Sequence, residues 1–171
     1  MLKRLLIASF AIALCMASGE VRATDRLELS SDNVTHIWRN INEVILVLSA
    51  NIALDDEWID ELRNKQPAPT GDVSQEMAAF REKLNTLLAS SELAPVADAP
   101  TNTANTTSAL YMRSGVMLDN LIYYLIESDS LASVAIYYGG SDVDGTSDKD
   151  VVNEVNLANQ RLDAYITENG F

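Results

Sequence analysis

Apolar residues recur every three or four positions in four separate runs, and no stretch alternates with the two-residue period of a half-buried strand. In the first run Val34, Ile37, Ile41, Val44 and Leu48 form a stripe that Trp38, Ile45 and Ile52 widen. Ser31 or Asp32 is placed to cap it. The pattern pauses near Asn51 and restarts in "LDDEWIDELRNK", with Asp55 as cap, Leu54 placed to staple onto Ile59, and an acidic first turn that suits a helix N-terminus. "QPAPTG" then ends it. A second run opens at Asp72, whose spacing to Gln75 resembles a capping box, and carries Val73, Met77, Phe80, Leu84 and Leu87.

The third run is the most apolar. Leu110, Met112, Val116, Met117, Leu118, Leu121, Ile122, Leu125 and Ile126 leave it little polar face, which predicts the most buried helix of the set. "LASVAIYY" either extends this helix to Tyr138 or forms a short separate segment. The fourth run places Val151, Val155, Ala158, Leu162 and Tyr165 at alternating four and three spacing, the requirement of a bundle seam.

Each stripe must be covered by another, so the chain is expected to be all-α, an antiparallel four-helix-type bundle. The expected helices run over 32–50 with a restart at 56–65, 73–89, 108–130 with the extension to 138 left open, and 148–168. Residues 91–107, "SELAPVADAPTNTANTT", have no period and few groups worth burying. They read as a long exposed crossover inside one domain, because neither half of the chain has a full set of stripes.

The domain is expected to be 24–171, preceded by a secretory signal peptide over 1–23. Lys3 and Arg4 precede an apolar run from Leu5 to Leu14, and Val21 and Ala23 fit a cleavage site before Thr24, with Ala17 and Gly19 as the second choice. The run falls short of the roughly 20 apolar residues a membrane span needs, so no stable membrane insertion is expected after cleavage. The one cysteine, Cys15, lies within the leader, and Leu14 before it is not the small residue that lipidation would need. A chain cut at Ala23 would be cysteine-free, without disulfides, thiol chemistry or cysteine-held metals. Such a protein, periplasmic or secreted, would depend on its core for stability.

Charge narrows the partners. The chain has 25 acidic against 12 basic residues, a formal net charge of −13, and loss of Lys3, Arg4, Arg22 and Glu20 with the leader would deepen the imbalance. Nucleic acid is an unsuitable partner, since that affinity rests on neutralised phosphates. A cationic protein partner would be steered in by the field. Candidate contact residues are the acids Asp55, Asp56, Glu57, Asp60 and Glu61, together with the ring pair Tyr137 and Tyr138, which repeats Tyr123 and Tyr124 fourteen residues on. The clustered acids also have a plainer reading as capping and solvated surface.

Between Tyr137 and Asp150 the sequence "YYGGSDVDGTSDKD" offers two readings. Asp142, Asp144, Asp148 and Asp150 could supply oxygens to a calcium ion, although Gly145 and Asn153 break EF-hand spacing. In the simpler reading Gly139 and Gly140 end one helix while Ser147 with Asp150 caps the next. His36 is the only histidine, and no Gly-x-Ser-x-Gly elbow accompanies it, so no constellation for nucleophilic catalysis is evident. The expected function is therefore binding without catalysis: an exported protein that recognises another protein, such as an immunity protein or inhibitor neutralising a basic toxin or envelope hydrolase. The alternative is a small-ligand or sensory bundle with a pocket between helices near Tyr124 and Met117.

Overall fold

The computed structural model describes residues 29–52, 56–68, 72–97, 106–128 and 145–171. All regular structure among them is helical: α1 (Ser31–Asn51), α2 (Asp56–Asn64), α3 (Val73–Ser90), α4 (Thr107–Glu127) and α5 (Asp148–Asn169). The leader, Leu54, Asp55, Tyr137, Tyr138, Gly139, Gly140 and residues 98–105 of the crossover lie outside the described residues, as does any extension of α4 to 138. No described helix is long and apolar enough to cross a membrane.

Local chemistry sets the boundaries. Asp72 caps α3 by accepting from the backbone N–H groups of Ser74 and Gln75 at 2.7 and 3.2 Å. Asp150 caps α5 by accepting from the backbone N–H and the hydroxyl of Ser147 at 2.7 and 2.6 Å. α1 is capped one residue earlier than expected: Ser30 is its N-cap, and Asn33 Oδ1 accepts from the Ser30 backbone N–H at 2.9 Å. Asp32 is instead drawn across to the residue that precedes the cap of α5. Its carboxylate accepts from the backbone N–H and hydroxyl of Thr146 at 2.7 and 2.6 Å.

The four long helices share one core. Trp38, Ile41, Ile45 and Leu48 of α1 meet Phe80, Leu84, Leu87 and Leu88 of α3, Leu121 and Leu125 of α4, and Val155, Ala158 and Leu162 of α5. Trp38 and Phe80 pack edge to face across its middle, centroids 5.0 Å apart at 85°. α1 touches α4 and α5, and α3 touches the same two.

Helix direction departs from the expected antiparallel order. Going up α1, Ser31 bonds Asp148 and Asn42 bonds the Glu154 carbonyl, so the partner number on α5 rises with the α1 number. On α3, Glu76 bonds Asn156, and Lys83 pairs with Asp163. A small cleft of about 130 Å³ is lined by Ser31, Val34, Val73, Thr107, Leu110 and Asp148, which puts the starts of α1, α3, α4 and α5 at one end. At the far end, Tyr124 of α4 hydrogen-bonds Tyr165 of α5. The four long helices are parallel. Antiparallel order follows only where connections are short. Here residues 91–106 could span about 50 Å when extended, more than the roughly 30 Å rise of a 21-residue helix.

The segment from Leu62 at the end of α2 to Ala68 runs the other way and makes part of one return. Arg161 of α5 donates to the carbonyls of Leu62 and Arg63 at 3.1 and 2.9 Å, and further along Asn156 Oδ1 accepts from Ala68 N–H at 2.7 Å.

Candidate functional site

The apolar excess of α4 is not spent on burial. Eleven α1 residues are buried against six of α4, so α1 and not α4 is the most enclosed helix. α4 leaves Met112 65% and Val116 45% exposed, with Tyr123 and Ile126 also in solvent. Isolated exposed apolar groups are ordinary, but neighbouring ones beside a concavity indicate a binding surface.

Such a concavity lies between α3 and α4, which touch least among the four neighbouring pairs of long helices. The groove has a volume of about 610 Å³, within the range of roughly 300–1,000 Å³ typical of small-molecule sites. α3 contributes Ser74, Met77, Ala78 and Arg81, the return segment Val96 and Ala97, and α4 with its cap Thr106, Ser108, Ala109, Met112, Arg113, Val116 and Met117. Met77, Val96 and Met117 are buried, while Met112 and Val116 stand out in solvent.

The reason for the gap is visible in the residue types. Ser74, Ala78, Ser108 and Ala109 present small side chains where two helices would otherwise interdigitate, so the helices cannot fill the volume between them. Asn85 holds the return segment in place by accepting from Val96 N–H at 2.8 Å.

One arginine from each wall contributes to the lining. Arg81 pairs with Glu82 at 2.9 Å, and Arg113 Nε donates to the Ala109 carbonyl at 3.3 Å. Among the described residues no carboxylate lines the groove.

The residues expected to bind are distributed differently. Met117 lines the groove, but Tyr124 is buried in the core, where it bonds Tyr165. Burial, and then this bond, push the Tyr165 hydroxyl pKa well above its ordinary value. Asp56, Glu57, Asp60 and Glu61 are exposed on α2, with Asp60 paired to Arg63 at 2.8 Å. Of the acidic loop, Asp142 and Asp144 lie outside the described residues. Asp148 accepts from the Ser31 hydroxyl at 2.7 Å and Asp150 is occupied by its cap. Among the described residues no group of three or more His, Cys, Asp or Glu side chains is arranged to hold a metal ion. His36 is half-buried and shares a hydrogen bond with Asn40 at 3.3 Å.

Sequence reading expected a pocket between helices near Tyr124 and Met117, of which only Met117 lines the groove, and it did not foresee the other walls because it scored α4 only for apolar content. The available signal was the coincidence of small residues on both walls, Ser74 and Ala78 on α3 and Ser108 and Ala109 on α4, beside an apolar surplus.

Fold and groove together define a class: an all-helical core of parallel long helices with an apolar cleft between two of them. Comparison with known proteins adds no name to that class, since no family model, no curated protein and no solved structure matches the chain.

Proposed function

We propose that this chain is an exported binding protein whose ligand is a small, largely apolar molecule lodged between α3 and α4. One observation carries the reading: a groove of about 610 Å³ with a mostly apolar lining, beside the exposed Met112 and Val116. Methionines suit such a surface because their flexible, polarisable side chains adapt to varied shapes. Titration with an environment-sensitive apolar dye tests it. Saturable one-to-one binding is expected, and Ala109→Trp, which fills the groove from α4, should abolish it. Dye binding unaffected by that substitution would place the site elsewhere.

A second reading keeps a cationic protein partner, as for an immunity protein or inhibitor of a basic toxin or hydrolase. What favours it is α2, which presents Asp56, Glu57, Asp60 and Glu61 to solvent while Arg161 fixes its far end. Affinity capture from envelope and secreted extract should then yield one stoichiometric partner. Charge reversal at those four acids should weaken that association in a salt-dependent way.

A further inference from the structure

We infer that the outer face of α4 is an interaction surface for an amphipathic helix of a cationic protein, with a lysine or arginine of that helix seated against Asp119. The inference needs neither a ligand in the groove nor the acids of α2.

Between Met112 and Ile126 the solvent-exposed residues of α4 are Met112, Val116, Asp119, Tyr123 and Ile126, and no others. They step by four, three, four and three, the spacing that keeps a seam on one side of a helix in a coiled coil. The core takes the opposite side through Ser114, Met117, Leu118, Leu121, Tyr124 and Leu125. A helix apolar on both sides belongs between two layers. Among the described residues only its inner side is covered.

Gly115 adds an independent sign. It shares the outer face with Met112 and Asp119, three positions back and four ahead, and a glycine inside a helix weakens that helix relative to alanine. Nothing among the described residues requires the missing side chain, since a Cβ at Gly115 would meet no atom within 4 Å. What the glycine provides is a low point beside Val116, where a second backbone can approach closely.

Asp119 decides what covers the face, because it is the one charged residue of the seam and stands at its middle. A second copy of this chain, laid along the whole seam in either direction, would set Asp119 against Asp119, and enclosing two like charges is costly. The net charge of −13 on each copy adds to that repulsion. A lipid surface would leave the carboxylate in hydrocarbon without a partner. A helix with a basic residue at the matching position pairs with the carboxylate while its apolar neighbours cover Met112, Val116, Tyr123 and Ile126. The acidic field of the chain steers such a partner in.

The test uses two synthetic helical peptides of about three heptads with leucine at the seam positions, identical in composition and net charge. One carries lysine at the middle seam position; in its isomer that lysine has exchanged places with an alanine of the outer face. Fluorescence anisotropy of the labelled peptides with the full chain should show the first bound at least about tenfold more tightly, the scale of a charge-assisted hydrogen bond. Asp119→Leu should reverse that order, and Tyr123→Glu should weaken both peptides by about tenfold or more. Both substitutions lie at exposed positions, and circular dichroism checks that the helices are kept. Equal affinity for the two isomers, an order that Asp119→Leu leaves unchanged, or binding of neither would overturn the inference. So would sedimentation in which the chain alone dimerises and Tyr123→Glu abolishes the dimer, since the occupant would then be a second copy. Asp119 and Tyr123 do not line the groove, so a negative result here leaves the dye titration and the small-molecule reading untouched.

Discussion

Trp38 cannot be buried without a partner for its indole N–H, and Ser114 supplies one. Trp38 Nε1 donates to Ser114 Oγ at 2.8 Å, and that hydroxyl passes its own proton to the Leu110 carbonyl at 2.8 Å. Ser114→Ala leaves a buried donor unmet, which should cost about 1–3 kcal/mol. Urea unfolding should show a lower midpoint with an unchanged slope. Carboxylates act at the same scale. Hydrogen bonds from the Thr146 side chain and backbone hold Asp32 below the usual carboxylate range, and those from Ser147 do the same for Asp150. A carboxylate whose pKa is lower folded than unfolded adds stability above the unfolded value of about 4 and loses it as pH falls through the folded one. Melting temperatures should therefore fall on acidification below about pH 4, and Asp32→Asn should lose less over that interval than the parent chain. Calcium bound through Asp148 and Asp150 would have to break the bonds these residues make to Ser31 and Ser147. Melts in calcium and in excess chelator are expected to coincide.

Among the elements, α2 depends most on a single side chain. Arg161 is buried, and its guanidinium satisfies two carbonyls at the end of α2, the negative end of that helix. Burial lowers its pKa while Glu43 and Glu154 oppose the shift, and arginine remains charged. Arg161→Met should destabilise the protein by about 1.5–3 kcal/mol and speed native-state proteolysis within residues 56–68. Charge reversal of the exposed α2 acids should leave stability within about 0.5 kcal/mol. Helix extents were legible because caps and apolar periods are local: α5 was expected over 148–168 and spans Asp148–Asn169. Burial was less legible. Thr35, Asn42 and Ser49 recur every seven residues on α1 and are all buried, so α1 buries a second, polar stripe that apolar counting passes over. Asn42 and Asn159 use such positions to fix register, bonding Glu154 and Glu76 respectively.

At the scale of the molecule, the long crossover was expected to be exposed, yet Val96 within it is buried in the core, and its consequence for helix direction was not legible. Periodicity gives the faces of a helix and says nothing about which way it runs, whereas Asn42 with Glu154 and Lys83 with Asp163 do. Parallel order also gathers four positive helix ends. Asp32, Glu76, Asp148 and Asp150 lie in their first turns, while α4 has no acid there and relies on Thr106. Every neighbouring pair of long helices is joined across long sequence separations, so refolding should be slower than for an up-and-down bundle of equal length, as stopped-flow tryptophan fluorescence would show. The same separation has a meaning in time. The bonds from α1 to α5 span 112 to 117 residues, and at about 5–20 residues per second the ribosome needs on the order of ten seconds to make the partner that α1 requires. For that interval the newly made α1 carries its widest apolar face uncovered. This interval makes the nascent chain a client for whatever cellular factor shields unfinished proteins.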